Sequence, residues 1–214
     1  MSRWEPNASG RLLEAAMALF RERGYAETTV VDIAARAGLT ERTFFRHFTD
    51  KREVLFGGAE ILQATLVEAL AVAPLPPMAA VATAVHAIAA LQQTRPNFEA
   101  FARRRHALIH AHPELHEREL SKLAGLVAVT ATALRRRKVD DLTATLAAEA
   151  GIGAFKVAFD RWIGDPKHGS YDGHLSATLA SLAGLFASGG GARGGRAGKQ
   201  ARASSGKLPG RRPR

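Results

Sequence analysis

The spacing of the apolar residues constrains this chain most. From Ser9 to Ala187 they recur three and four positions apart, and no stretch sustains the apolar/polar alternation of a half-buried strand. The pattern predicts an all-α protein of about nine helices. Leu12, Leu13, Ala16, Leu19 and Phe20 share one face of a first helix from about Ser9 to Arg23, which Gly24 stops. Thr29 is placed to cap a second, short helix with Asp32 in its first turn, and Gly38 breaks it. A third runs from Thr40 to Phe48. A fourth, capped by Asp50, carries Val54, Leu55, Ile61, Leu62, Leu66 and Leu70. Pro74, Pro76 and Pro77 mark a boundary, and five longer helical stretches follow, separated at Arg95-Pro96, His112-Pro113, Lys138 to Asp141 and the loop Gly164 to Gly169. The expected division is a three-helix unit over 1–56, a larger helical bundle over 57–187 and a tail over 188–214.

Composition excludes several classes. The chain has no cysteine, which removes disulfides, thiolate metal sites and a cysteine nucleophile and fits a cytoplasmic location. The opening segment carries Glu5 and Glu14 and does not read as a signal peptide. No run of 18 apolar residues occurs, so neither a membrane span nor a membrane partner is expected. No phosphate-binding glycine loop, nucleophile elbow or framed carboxylate pair is present, so no enzyme activity and no cofactor are expected. The net charge of +10 suggests nucleic acid, yet eight of those charges lie in the Gly/Arg-rich tail 188–214, which holds no acid and reads as disordered. Residues 1–56 and 57–187 each carry a net charge of only +1. The tail can grip phosphates without sequence preference, so a DNA-binding role for the folded part must rest on a local motif.

That motif lies between Thr29 and Phe48. Two short helices joined by a glycine-containing turn form a helix-turn-helix pattern. Ala34 is small where the helices cross, and Gly38 permits a left-handed turn. On the second helix Phe44 and Phe48 point inward, while Glu41, Arg42, Phe45 and Arg46 occupy the other side. A buried aromatic stripe opposite a basic, hydrogen-bonding face suits a helix lying in a major groove.

Residues 10–56 resemble the DNA-binding domain of the TetR family of bacterial transcriptional regulators. The resemblance rests on Ala16 to Tyr25, the threonine pair before the second helix, Asp32-Ile33-Ala34, Ala37-Gly38-Leu39-Thr40, and Arg42 to Phe48 followed by Lys51. It implies that double-stranded operator DNA is contacted by Thr29, Thr40, Glu41, Arg42, Thr43, Phe45, Arg46, His47 and Lys51. His47 and Lys51 fall where the family meets the phosphate backbone. Phe45 stands where members often have tyrosine, which removes a phenolic hydrogen bond to phosphate. Arg36 reads as a solvated surface residue, and Arg3 and Arg11 are candidates for an amino-terminal arm.

For the second half the resemblance implies a small-molecule cavity and a homodimer built on the last two helices. Leu142, Leu146, Ala150, Gly153 and Val157 on one helix, and Leu175, Leu179, Leu182, Leu185 and Phe186 on the other, are the candidate dimer residues. Phe98, Phe101, Phe155, Phe159 and Trp162 are candidate cavity walls, with His86, His106, Gln92 or Gln93 as polar contacts to an unidentified hydrophobic or amphipathic effector. The cluster from His106 to His116 has two histidines one turn apart. Pro113 interrupts it and no thiol assists, so no metal is assigned there. The function expected is a repressor released from its operator by a small ligand. The rivals are a helical metal-binding or enzymatic protein using His106 to His116, and a non-specific DNA binder driven by the tail.

Overall fold

A computed structural model describes residues 8–187 except Ala73, Pro166 and His168; the basic tail and Arg3 lie outside the described residues. Among the described residues there are nine α-helices and no strand. They are α1 (Ala8–Arg23), α2 (Val30–Arg36), α3 (Glu41–His47), α4 (Ala59–Val72), α5 (Pro77–Gln93), α6 (Phe98–Ala111), α7 (Pro113–Arg136), α8 (Asp141–Ile163) and α9 (Tyr171–Ala187), with a 3₁₀ turn at Glu53–Phe56.

The caps follow from residue chemistry. Thr29 and Asp32 form a reciprocal capping box, with Asp32 N–H donating to Thr29 Oγ1 (3.1 Å) and Thr29 N–H to Asp32 Oδ2 (3.1 Å). Thr40 Oγ1 accepts from Thr43 N–H at 3.1 Å, and Asp140 caps α8 through Thr143 N–H at 2.9 Å. The expected fourth helix is split. Asp50 accepts from the amides of Arg52 and Glu53, but the 3₁₀ turn that follows ends at Gly57-Gly58 (φ +91 at Gly58), and α4 begins only after it. A glycine pair carries too much conformational freedom to continue a helix.

Two hydrophobic cores result. One joins α1, α2, α3 and the 3₁₀ turn around Leu12, Leu19, Ile33 and Phe44, and Ile109 and Leu115 from the α6–α7 corner plug into it. The other joins α4, α5, α7, α8 and α9 around Leu66, Val85, Leu134, Ile152 and Trp162. Helices α5 and α8 cross so closely that a Cβ on Gly151 would lie 2.1 Å from Val81 Cγ1. By length and composition Glu53–Val72 and Asp141–Ile163 could each cross a membrane. The first is broken at the glycine pair, and each contributes buried faces to the core of the bundle.

Candidate DNA interface, cavity and subunit face

The helix-turn-helix is held from behind. Gly38 (φ +66) makes the turn, Leu39 N–H donates to Ala34 O at 2.9 Å, and the Arg11 guanidinium donates to Ala37 O. Arg11 is thus a brace for the turn. Phe44 is fully buried and Phe48 buried beside it, their rings 5.5 Å apart. The opposite side of α3 presents Glu41, Arg42, Phe45, Arg46 and His47 to solvent, with Thr40 beside them at the cap. Arg42 and Arg46 hold no hydrogen bond or ion pair with another described residue, so their donors are available to an outside acceptor. Arg36 is bidentate to Glu22 (2.6 and 3.1 Å) on the surface.

Four residues expected at DNA are occupied within the domain to different degrees. Lys51 donates to the carbonyls of Tyr25, Ala26 and Thr28 at 2.9, 3.0 and 3.1 Å and sits 4.5 Å over the Tyr25 ring. An ammonium has three hydrogens, and all are used. Lys51 therefore fastens the α1–α2 loop in the DNA-free chain. Burial and the nearby Glu114 push the Tyr25 phenol up to about 12, so it stays neutral beneath that cation. Thr29 Oγ1 donates to Asp32 Oδ2 at 2.7 Å while accepting from its amide, so its side chain is committed to the cap. The hydroxyls of Thr40 and Thr43 share one hydrogen bond (3.0 Å), which leaves one hydroxyl hydrogen to donate elsewhere.

In the second half a cavity of about 400 Å³ lies between the 3₁₀ turn, α4, α5, α6, α7 and α8. Phe98, Phe101, Phe155 and Phe159 line it, with Leu62, Leu91, Leu123 and Leu126. Trp162 lies one layer behind, buried and stacked on Phe98 at 5.4 Å. His86 is not at the cavity, because it bonds Asp172 on α9 at 2.7 Å. His106 is also withdrawn, stacked on His110 at 3.9 Å and facing Asp160 at 3.4 Å; burial, then the neighbouring His110, hold its pKa below the ordinary value. Gln92 lines the wall with its Oε1 buried and unpartnered, whereas Gln93 bonds Ala89 O on its own helix.

The polar rim was not foreseen. Arg95, Arg105, Lys122 and Lys156 line the cavity with Glu119 and Asp160. Each cation meets an acid: Arg95 with Glu14, Arg105 with Glu119 (2.9 Å), Lys122 with Glu53 (2.9 Å) and Lys156 with Asp160 (2.7 Å). Glu53 also receives Arg118; burial alone would raise its pKa, but these two cations hold it below the ordinary carboxylate value. Glu14 and Glu53 belong to the DNA-binding half, and Arg105 donates to Leu55 O at 2.9 Å. The cavity wall is therefore fastened by ion pairs to the helix-turn-helix unit.

On α8, Leu142, Leu146, Gly153 and Val157 are exposed and Ala150 half-buried, forming one stripe at helical spacing. A Cβ on Gly153 would meet nothing within 4 Å. On α9 the expectation is corrected for two residues: Leu175 is fully buried and Leu179 packs on the bundle core, because that face turns toward α5 and α8. Leu182 is half-buried and Leu185 exposed, and the Phe186 side chain lies outside those described.

A braced helix-turn-helix joined to a hollow helical bundle defines the helical DNA-binding regulators. The sequence matches the model for bacterial regulatory proteins of the tetR family over residues 12–56 and that for the MftR C-terminal domain over 75–187. The chain belongs to the TetR family. It is 39% identical over 64 residues to the HTH-type transcriptional regulator TcmR of Streptomyces glaucescens, covering 30% of this chain and 28% of that protein. It is 48% identical over 46 residues to the HTH-type transcriptional repressor KstR2 of Mycobacterium tuberculosis, covering 22% of this chain and 23% of the relative. The chain thus spans about a quarter of the length of these relatives. In fold it is similar to NalD of Pseudomonas aeruginosa, the secondary repressor of the MexAB-OprM multidrug efflux pump (TM-score 0.55, 20% identity, 82% of this chain and 94% of that one). It is likewise similar to FadR of Thermus thermophilus in complex with lauroyl-CoA (TM-score 0.51, 22% identity, 92% and 100%).

Proposed function

We propose that the protein is a homodimeric, cytoplasmic transcriptional repressor that a small amphipathic molecule releases from its operator. The observation that carries the reading is the contrast within α3: Phe44 and Phe48 are locked in the core, while Arg42 and Arg46 stand exposed with their donors uncommitted. Arginine in a major groove can be bidentate to guanine, each good pair contributing about 1–3 kcal/mol of discrimination. Thr40, Thr43 and His47 flank these arginines and position the helix on phosphates. Phe45 offers an apolar contact to a thymine methyl, and Glu41 an acceptor to cytosine. In a dimer, two such helices would enter half-sites about 34–36 Å apart, or a multiple of that spacing. Nothing in this scheme needs a catalytic group or a cofactor.

The cavity supports the release step. Its wall is aromatic and aliphatic, with one unpartnered amide oxygen at Gln92 and a rim of paired charges. Such a lining suits a molecule with an apolar body and an acidic or amide head. The fold relative that holds lauroyl-CoA illustrates one ligand of that character. A molecule binding there must compete for Arg105 or Lys122, whose partners brace the DNA-binding unit, and only such differential contact can shift the equilibrium.

The test is a mobility-shift titration on DNA from the protein's own upstream region, at about 150 mM salt where phosphate attraction is moderated. Sequence-selective binding, reversed by an amphipathic acid or amide that also raises the melting temperature, is the expected result. Equal affinity for scrambled DNA would contradict it.

A further inference from the structure

The α6–α7 corner brings together three side chains that the sequence keeps apart. Helix α6 ends at Ala111, His112 is extended (φ −129, ψ 109), and Pro113 opens α7. The proline that interrupts the histidine run also reverses the chain. His116 and Glu119, one turn apart on α7, consequently face His110 on the last turn of α6. One ligand atom from each of the three lies within 4.8 Å of the others.

The chemistry of each donor is set. His110 Nδ1 lies 3.0 Å from His106 O. A carbonyl only accepts, so Nδ1 carries the hydrogen and Nε2 keeps its lone pair, as in a ligating histidine whose other nitrogen is held by a carbonyl. His116 Nδ1 is buried with no hydrogen-bond partner, and its ring lies 5.1 Å from that of His110. Glu119 is oriented through one oxygen by Arg105 at 2.9 Å, leaving the other to point elsewhere. His106 is not in the set; it stacks on His110 and faces Asp160.

We propose that His110, His116 and Glu119 bind a divalent transition-metal ion of the zinc class. Two imidazoles and one carboxylate suit zinc, cobalt or nickel, whereas magnesium and calcium require mainly oxygen donors. The Arg105 guanidinium beside Glu119 further disfavours ions that depend on charge alone. Donor atoms of a tetrahedral zinc site stand about 3.4 Å apart, given bonds of about 2.1 Å, so binding requires the corner to tighten by roughly 1 Å. That movement falls on a joint. Ile109 and Leu115, on either side of the corner, are buried in the core of the DNA-binding unit, and the His112 ring lies 4.9 Å from that of Tyr25. His110 and Glu119 also line the cavity, which places a fourth coordination position within reach of a bound effector.

The test is direct and independent of any operator. Tag-free, chelator-treated full-length protein is titrated with zinc(II) by calorimetry and with cobalt(II) by visible absorption. One ion per chain, with a zinc Kd of about 10 μM or tighter and cobalt bands of four-coordinate intensity, is expected. His116→Ala and Glu119→Ala should each weaken zinc at least about 100-fold, since losing a group that touches the ion costs more than the roughly 10–100-fold lost with a residue that only orients such a group. His110→Ala, on an exposed side chain, provides a variant whose helical circular dichroism should be unchanged, and it too should lose the ion. His86→Ala, remote from the corner, should bind as the wild type does. Weaker zinc binding by the wild type, or undiminished binding by His110→Ala/His116→Ala, would overturn the proposal.

Discussion

Leu146→Glu tests the subunit face on α8. Leu142, Leu146, Val157 and Leu185 keep 68%, 59%, 47% and 72% of their surface exposed in the single chain. Four large apolar side chains at that exposure, three in one stripe, mark a surface to be covered. Fully burying a leucine contributes about 1.5–3 kcal/mol, so covering the exposed part of Leu146 contributes about 1–2 kcal/mol. In a twofold dimer the change occurs twice, giving about 2–4 kcal/mol. A carboxylate in its place adds a desolvation cost, so this range is a floor. At 1.4 kcal/mol per tenfold, the dimer Kd should rise by at least about 30- to 700-fold. Sedimentation velocity across a range of protein concentrations reads this directly, with Gln93→Glu on exposed α5 surface as the control. Operator binding should weaken in parallel, since paired half-sites require paired heads. A Leu146→Glu protein that dimerises within threefold of the wild type would refute the assignment of this face.

Three further outcomes follow from packing and charge. Lys51→Met removes three charge-assisted hydrogen bonds to the α1–α2 loop; it should cost about 2–3 kcal/mol in chemical denaturation, and unchanged stability with lost DNA binding would instead restore a phosphate contact. Gly151→Ala forces a methyl against Val81 and should destabilise by about 1–3 kcal/mol, with Gly151→Ala/Val81→Ala recovering part of the loss; a neutral single variant would show that the α5–α8 crossing yields. Glu53→Gln should cost about 1–2 kcal/mol at pH 7. Because the folded Glu53 pKa is depressed, its contribution is complete above the ordinary carboxylate range and fades as pH falls through the lowered value. The wild-type and variant stability curves should then converge as pH falls below that lowered value, and a gap constant with pH would contradict the ion-pair account.

The helical architecture and the exposed polar face of α3 were legible because both are local. A buried Phe44–Phe48 pair and a glycine turn leave their mark within twenty residues. The cavity was legible only on its apolar side. Its aromatic wall follows from Phe98, Phe101, Phe155 and Phe159, but the charged rim does not, since Arg95 meets Glu14 and Lys122 meets Glu53 across 81 and 69 positions. His86 and Trp162 were misplaced for the same reason, with partners Asp172 and Phe98 far along the chain. Lys51 is a subtler case. Its position in the motif pointed to phosphate, while its geometry gives it to three loop carbonyls. In the histidine cluster, the break at Pro113 argued against a site when helical spacing was the only guide, yet that break folds His116 and Glu119 onto His110.

The most direct test of the central claim compares wild-type and Arg42→Ala/Arg46→Ala protein on upstream DNA and on a scrambled duplex at one salt concentration. The account predicts that the double variant keeps its fold, its dimer and its weak affinity for scrambled DNA. It should lose about 2–6 kcal/mol of preference for the upstream sequence, the contribution of one bidentate arginine–guanine contact in each of the two half-sites. An unchanged preference would show that the α3 face does not read the operator, and the proposed function would fall with it.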